Sequence, residues 1–261
     1  MDLGLADKHV FIAGASRGIG FAIAEAFLNE GARVSLTARG ADDLESAYAA
    51  LTSRFGEERL FRKAGDMTKT EAIGAALEQS ESALGPLHCV VGNIGIDKTP
   101  LGWDVDDDTF DVGFAQNFLG SYRLAREAVR RVLPRPPESR EGFNILFISS
   151  GGGIDAMTTA LTYGSSKAML NHVTKELSKL LGKDGIRVNA VAPGMVLFPG
   201  GSWEKRLSTH HDYWVKYTKR EVALQRWGRP EEIANVAVFV ASGRASIMTG
   251  AIVVADGGQV K

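Results

Sequence analysis

Three features of the sequence predict an α/β protein built on a doubly wound parallel sheet. Short apolar runs rich in β-branched residues alternate with longer stretches of helical periodicity. Several of these runs are apolar throughout, as strands covered on both faces must be. A glycine-rich segment, AGASRGIG, separates the first run from the first helical stretch, FAIAEAFL. Together they describe repeated βαβ units around one sheet with helices on both faces.

The strands follow in order. HVFIAG (9–14), RVSLTA (33–38), RLFRKAGD (59–66), LHCVVGN (87–93), FNILFIS (143–149), IRVNAVAP (186–193) and GAIVVADG (250–257) make seven. Helices fill the gaps. One is expected to begin at Thr68, where TKTE has the spacing of a capping box. Another begins at RPEE, with Pro230 at the first helical position and Glu231 and Glu232 in the positive first turn. The proline-rich PRPPESR, residues 134–140, reads as a surface loop, because the strand after it completes the same sheet. The whole chain, residues 1–261, is therefore expected to be one domain.

Composition narrows the function classes. A chain of 261 residues with 44% hydrophobic and 23% charged content buries a full core. With 30 basic and 31 acidic residues, the net charge of −1 gives no electrostatic reason to expect nucleic acid as a partner. The single cysteine, Cys89, lies in an apolar run, so no intrachain disulfide forms. Asp2, Asp7 and Lys8 interrupt the N-terminus where a signal peptide needs an apolar core, and no run of about 18 apolar residues occurs. A soluble cytoplasmic protein is expected, with no membrane partner. The five histidines show no metal-ligand spacing, and no metal is expected.

Two motifs carry chemistry. In AGASRGIG, Gly14, Gly18 and Gly20 allow a tight turn, close approach of a ligand and close helix packing, with a helix N-terminus facing a pyrophosphate. The spacing G-x-x-x-G-x-G, placed after the first strand, points to a dinucleotide. In TYGSSK, Tyr163 and Lys167 stand four apart, on one face of a helix. An ammonium beside a phenol favours the phenolate and lowers a pKa that is ordinarily about 10 by roughly 1 to 3 units, toward proton exchange near neutrality.

These motifs, with GNIG after the fourth strand, ISS thirteen residues before Tyr163 and PG after the sixth strand, give a chain that resembles the short-chain dehydrogenase/reductase family along nearly its whole length. The resemblance implies a Rossmann-type fold and a nicotinamide-dependent oxidoreductase. It implies Tyr163 as general acid/base, Lys167 lowering its pKa and holding the nicotinamide ribose, Ser150 hydrogen-bonding the substrate oxygen, and Asn117 supporting a proton relay. It further implies cofactor contacts from Ser16, Arg17 and Ile19 in the glycine loop, from Asp66 and Met67 at adenine, and from Asn93 and Gly95 at the central strand and adenine ribose. Pro193, Gly194 and Val196 fall beside the nicotinamide. Three departures touch cofactor packing: Ala13 replaces a threonine, Gly92 and Ile94 alter the family's N-N-A-G, and Phe198 stands where a threonine often meets the carboxamide. The glycines at 151–153 are expected to leave room for substrate above Ser150.

At the end of the second strand NAD-preferring relatives place an acidic residue, and this chain has Ala38 followed by Arg39. With Arg17, two guanidiniums converge on a 2′-phosphate, so NADP(H) is expected over NAD(H), the alternative. Residues 198–228 read as a substrate lid in which Phe198, Trp203 and Trp214 offer aromatic surface, suited to a hydrophobic or aromatic ketone or alcohol. These aromatics equally suit packing within the lid or a subunit interface. The basic residues Lys205, Arg206, Lys216, Lys219 and Arg220 suggest an alternative, a 3-oxoacyl-(acyl-carrier-protein) reductase. A non-catalytic dinucleotide-binding regulator is the alternative of another class, opposed by the intact Ser150, Tyr163 and Lys167. The resemblance, the apolar last strand and the ANVAVFVA helix imply a homotetramer.

Overall fold

A computed structural model describes residues 1–95, 100–140, 142–157 and 159–260. The chain runs β1 (His9–Ala13), α1 (Gly18–Asn29), β2 (Arg33–Ala38), α2 (Ala41–Phe55), β3 (Leu60–Ala64), α3 (Thr70–Leu84) and β4 (Leu87–Gly92). It continues through α4 (Asp107–Phe114), a π turn (Ala115–Leu119), α5 (Gly120–Val132), the short α6 (Pro137–Arg140), β5 (Asn144–Ile148), α7 (Leu161–Leu181) and β6 (Arg187–Pro193). Then come α8 (Ser202–Thr209), α9 (His211–Glu221), α10 (Pro230–Ala241) and β7 (Ile252–Ala255).

The seven strands form one sheet in the order β3-β2-β1-β4-β5-β6-β7, and every pairing is parallel. This is the doubly wound Rossmann-type architecture that the alternating runs predict. β1, β5 and β6 are buried along their full length, because helices cover both faces. One apolar cluster lies under α1, α2 and α10, with Ile23, Phe27, Leu51 and Ile233 meeting Val10, Ile12 and Leu36 of the sheet. The opposite cluster sets Ile73, Leu77, Leu124 and Leu170 of α3, α5 and α7 against Phe11, Val90, Phe147 and Val188.

Local signals place most boundaries. Pro230 opens α10, and the Glu232 carboxylate reaches back to accept the Arg229 N–H at 2.9 Å. The helix expected at Thr68 instead begins at Thr70 after Lys69. Thr68 is held in the preceding turn, where its N–H and Oγ1 both donate to Asp66 Oδ1, at 3.0 and 2.8 Å. That local bond competes with a helical cap and wins. The segment 134–140 runs over the surface as expected and closes into the single turn α6.

Parallel strands all end on one side of the sheet. Between β1 and β4 the strand order reverses, and at that switch point the loops diverge and leave a crevice. Among the described residues no helix is long and apolar enough to cross a membrane.

Candidate active site

A cleft of about 1880 Å³ opens at the carboxyl ends of the strands. Each strand exit contributes to its wall: Gly14, Ser16, Arg17 and Ile19 after β1, Arg39 after β2, Asp66 and Met67 after β3, and Asn93 and Gly95 after β4. Ser150 follows β5, and Pro193, Gly194 and Val196 follow β6. Tyr163 and Lys167 enter from α7.

The glycine loop is shaped by close approaches. Gly14 has a φ of 78°, and a Cβ there would stand 2.6 Å from the Asn93 carbonyl oxygen. A Cβ on Gly20 would stand 2.0 Å from the Gly14 oxygen, so α1 packs against the turn that precedes it. Asn93 fastens the arrangement, donating from Nδ2 to the Gly14 oxygen at 2.8 Å. Gly14 and Ser16 lead to the N-terminus of α1, where no side chain caps the free N–H groups. Those groups and the helix dipole suit an anion such as a pyrophosphate.

Gly18 and Gly20 lie behind this wall. Gly18 has a φ of 55°, and its absent Cβ would fall 2.5 Å from the ring of Phe198. Phe198 thus lies against the glycine loop, and close to Gly201, where a Cβ would stand 3.1 Å from the ring.

Arg17 and Arg39 both line the cleft, beside Ala38 and Gly40. Among the described residues neither guanidinium joins an ion pair. Asp66 is held ionised: burial opposes its charge, but the two bonds from Thr68 and the charges of Lys69 and Arg39 leave its carboxyl below the usual range.

Lys167 is buried, 4% exposed, and donates from Nζ to the Ile148 carbonyl at 2.9 Å. Burial pushes its ammonium down to about 8. Nζ lies 5.7 Å from the centre of the Tyr163 ring, as one helical turn between them requires. Ser150 caps the turn Gly151–Gly153, its Oγ accepting the Gly152 N–H at 3.2 Å. Its neighbour Ser149 is consumed in the fold, with Oγ bonded to Asn171 Oδ1 at 2.5 Å. That separates the two serines of ISS.

Asn117 sits in the π turn between α4 and α5, fully buried, and donates to the Gly113 carbonyl at 2.9 Å. A Cβ on Gly95 would meet Asn117 Oδ1 at 3.0 Å and Lys167 Nζ at 3.5 Å, so Asn117 meets the cleft wall where Gly95 and Lys167 line it. π turns recur at functional positions because the wider turn re-aims side chains.

The glycines at 151–153 do not leave the space expected of them. A Cβ on Gly153 would stand 2.5 Å from the Lys167 backbone, and one on Gly152 would stand 2.9 Å from Thr159. Small residues are needed here so that the turn behind Ser150 packs on α7.

The 198–228 excursion leaves and returns at one point. Val196 bridges Gly228, and Leu197 N–H donates to the Gly228 carbonyl at 2.9 Å. Trp203 lines the cleft, whereas Trp214 packs behind it edge-on at 5.1 Å. Arg206 stacks over Trp203 at 4.6 Å and Trp214 at 5.9 Å. Thr68, expected only as a helix start, and Gln116, which no motif singles out, also line the cleft. Thr68 adjoins Met67 and Gln116 adjoins Asn117, both expected site residues, and that adjacency is the available signal. Among the described residues no group of His, Cys, Asp and Glu gathers as a metal site.

A family model described as enoyl-(acyl carrier protein) reductase matches residues 14–259. The chain belongs to the short-chain dehydrogenase/reductase family. It is 36% identical over 256 residues to an isoepoxydon dehydrogenase of Aspergillus clavatus, covering 97% of this chain and 95% of that protein. It is 31% identical to a 3-oxoacyl-(acyl-carrier-protein) reductase of Chlamydia muridarum, covering 98% of each. Among solved structures, L-sorbose reductase from Gluconobacter frateurii, complexed with NADPH and L-sorbose, superposes with a TM-score of 0.88. That pair is 31% identical and covers 100% of this chain and 99% of the reductase. As a short-chain dehydrogenase/reductase, the chain is an oxidoreductase of alcohols and ketones.

Proposed function

We propose that this protein is an NADP(H)-dependent oxidoreductase that interconverts a ketone and a secondary alcohol, with Tyr163 as general acid/base. The observation that carries the reading is that Ser150, Tyr163 and Lys167 open on the same cleft as the glycine loop and as Arg17 and Arg39, which join no ion pair among the described residues. The residues fit a dinucleotide: the uncapped start of α1 suits the pyrophosphate, and Arg17 and Arg39 suit a 2′-phosphate. NAD(H) remains the less favoured cofactor. When bound, the nicotinamide supplies or accepts the hydride.

In reduction, Tyr163 gives its hydroxyl proton to the carbonyl oxygen as the carbon gains hydride, and in oxidation it takes that proton back. Ser150 Oγ already accepts the Gly152 N–H, which leaves its own hydrogen to donate to the same oxygen. Lys167, held by Ile148, places a positive charge that favours the Tyr163 phenolate and reaches the nicotinamide ribose. Asn117 fixes the wide turn beneath them and supports proton return through the Lys167 side. Trp203 gives the aromatic wall against substrate, Trp214 braces it, and Phe198 contacts the cofactor's side of the cleft. The α8–α9 excursion acts as the lid.

The complex of the sorbose reductase with NADPH and L-sorbose, and the likeness to an isoepoxydon dehydrogenase, support a small ketone or alcohol. A second reading, reduction of a 3-oxoacyl group on an acidic carrier, draws on the Chlamydia relative and on the basic lid residues Lys205, Lys216 and Lys219. A panel of ketones, alcohols and an acetoacetyl carrier protein, followed by absorbance of the reduced nicotinamide, separates these. Turnover of cyclic or aromatic ketones supports the first reading, and turnover of the carrier substrate alone supports the second. We also propose a homotetramer, supported by exposed Phe239, Ile247 and Val254 around the edge strand β7. A monomeric mass by light scattering would contradict it.

A further inference from the structure

We propose that Asp256 is a positioning residue for the reaction: it bends the segment after β7 back on the site, so that residues 257–260 tie the return limb of the lid to the turn that carries Ser150. The proposal rests on the roles given above to Ser150 and to the lid.

The Asp256 carboxylate accepts two backbone N–H groups of its own segment, Gly258 to Oδ1 at 2.8 Å and Val260 to Oδ2 at 2.7 Å. Bonds from N–H groups to a carboxylate are of the strong, charge-assisted kind, and two on one side chain close residues 256–260 into a bend. The bend is fastened at its root. The Gly194 N–H donates to the Ala255 carbonyl at 3.3 Å, and a Cβ on Gly194 would stand 2.7 Å from Asp256 Cβ and 2.8 Å from Gln259 Oε1.

Two contacts leave the bend. The first reaches the lid: the Leu224 N–H donates to the Gly257 carbonyl at 3.0 Å, and the Ala223 N–H to the Gly258 carbonyl at 3.4 Å. Gly257 and Gly258 have φ of 69° and 78°, and a Cβ on them would stand 2.9 Å from Val222 and 2.8 Å from Ala223, so a side chain at either would push the limb away. Residues 222–224 follow α9 directly, and α9 carries Trp214 against Trp203 on the cleft wall.

The second contact reaches the serine. Val260 Cγ2 lies 3.0 Å from where a Cβ on Gly151 would stand, and Gly151 opens the turn that Ser150 caps. Residues 256–260 do not themselves line the cleft, so they act through these neighbours. Ser150 arrives from β5 and the lid from the far end of a long excursion, and the bend gives both one reference. A misplacement of about 1 Å remote from the chemistry can cost roughly 10² in rate.

The test compares wild type with Asp256→Ala, Asp256→Asn and Val260→Gly, each also combined with Ser150→Ala. It measures ketone reduction, NADPH titration, thermal melting and the rate of trypsin cleavage at the lid's basic residues between Lys205 and Arg226. Asp256→Ala should lower kcat/KM about ten- to hundredfold and speed lid cleavage several-fold, with NADPH bound within about threefold of wild type. Asp256→Asn keeps one acceptor and should fall between. Val260→Gly spares the bonds to residues 223 and 224, so it should lower kcat while lid cleavage stays as in wild type. In the Ser150→Ala background its further cost should shrink to about twofold or less, because two residues that act through one group are not additive.

A folded Asp256→Ala that keeps kcat/KM within twofold, with lid cleavage unchanged, overturns the inference. So does a loss from Val260→Gly that persists in full without Ser150, which marks a general effect on the fold. Should Asp256→Ala not fold, Asp256→Asn and Val260→Gly are read in the same way. Wild type that reduces no ketone and binds neither dinucleotide overturns the reaction reading instead, and lid cleavage, which needs no activity, then decides whether Asp256 holds the limb.

Discussion

The Lys167 ammonium stands 5.7 Å from the centre of the Tyr163 ring, tied to the Ile148 carbonyl at 2.9 Å. The bond to β5 fixes the ammonium against the sheet while α7 carries both side chains, so the distance is set by two rigid elements. A buried cation with no carboxylate bonded to it among the described residues is costly, and here it is held beside the Tyr163 ring.

Lys167→Met should therefore abolish activity and stabilise the fold. In the unfolded chain the amine titrates near 10.5 and in the fold near 8, a difference worth roughly 3 kcal/mol at neutral pH. Between those values the unfolded state binds the extra proton, so wild-type stability gains from this group as pH rises from about 8 to 10.5. The methionine variant has no such gain, and its melting temperature at pH 7 should exceed that of wild type by several degrees. A variant that melts lower would mean that the bond to Ile148 outweighs the cost of burying the charge.

Acid stability should depend on His9. Its ring is buried, with Nδ1 2.7 Å from the Gly85 oxygen and Nε2 2.8 Å from Ser35 Oγ, and burial pushes its pKa down to about 4. His88 is likewise pushed to about 4 by burial. Since both titrate near 6.5 when unfolded, stability is full above that pH and falls as pH drops from 6.5 toward 4. Melting curves at pH 7.5 and pH 5 should differ by several degrees more in wild type than in His9→Gln. Equal pH dependence in the two proteins would count against the assignment.

Cofactor choice should rest on Arg39. A charge-assisted bond to a 2′-phosphate is worth roughly 1.5 to 3 kcal/mol, so Arg39→Ala should weaken NADPH tenfold or more and leave NADH nearly unchanged. Titration showing equal loss for both dinucleotides, or wild type binding NADH as tightly as NADPH, would remove the preference.

The sheet is legible because most strands are short apolar runs between turn residues, and β2 matches RVSLTA residue for residue. Strand exits carry the site, so motifs located after strands were located in the cleft as well. What the sequence hid is contact geometry. Thr68 looked like a cap because its spacing to Glu71 is right, but Asp66 two residues earlier engaged it first. The glycines at 151–153 looked like open space, and only the approach of α7 to Gly153 shows them to be packing positions. Phe198 reads as a substrate contact and does line the cleft, but its ring also lies on Gly18, a neighbour 180 residues away that no local pattern announces. The π turn around Asn117 has no periodic signature distinct from the α-helices that flank it.

The account turns on Tyr163 as the proton donor, and the direct measurement is NADPH oxidation by wild type and Tyr163→Phe with a turned-over ketone, alongside NADPH titration of both. Losing a positioned general acid costs roughly 10² to 10⁴ in rate. Wild type should consume NADPH, and the phenylalanine variant, which keeps the ring, should lose at least a hundredfold while binding NADPH within about threefold of wild type. A variant that retains activity within a few-fold of wild type would contradict the account.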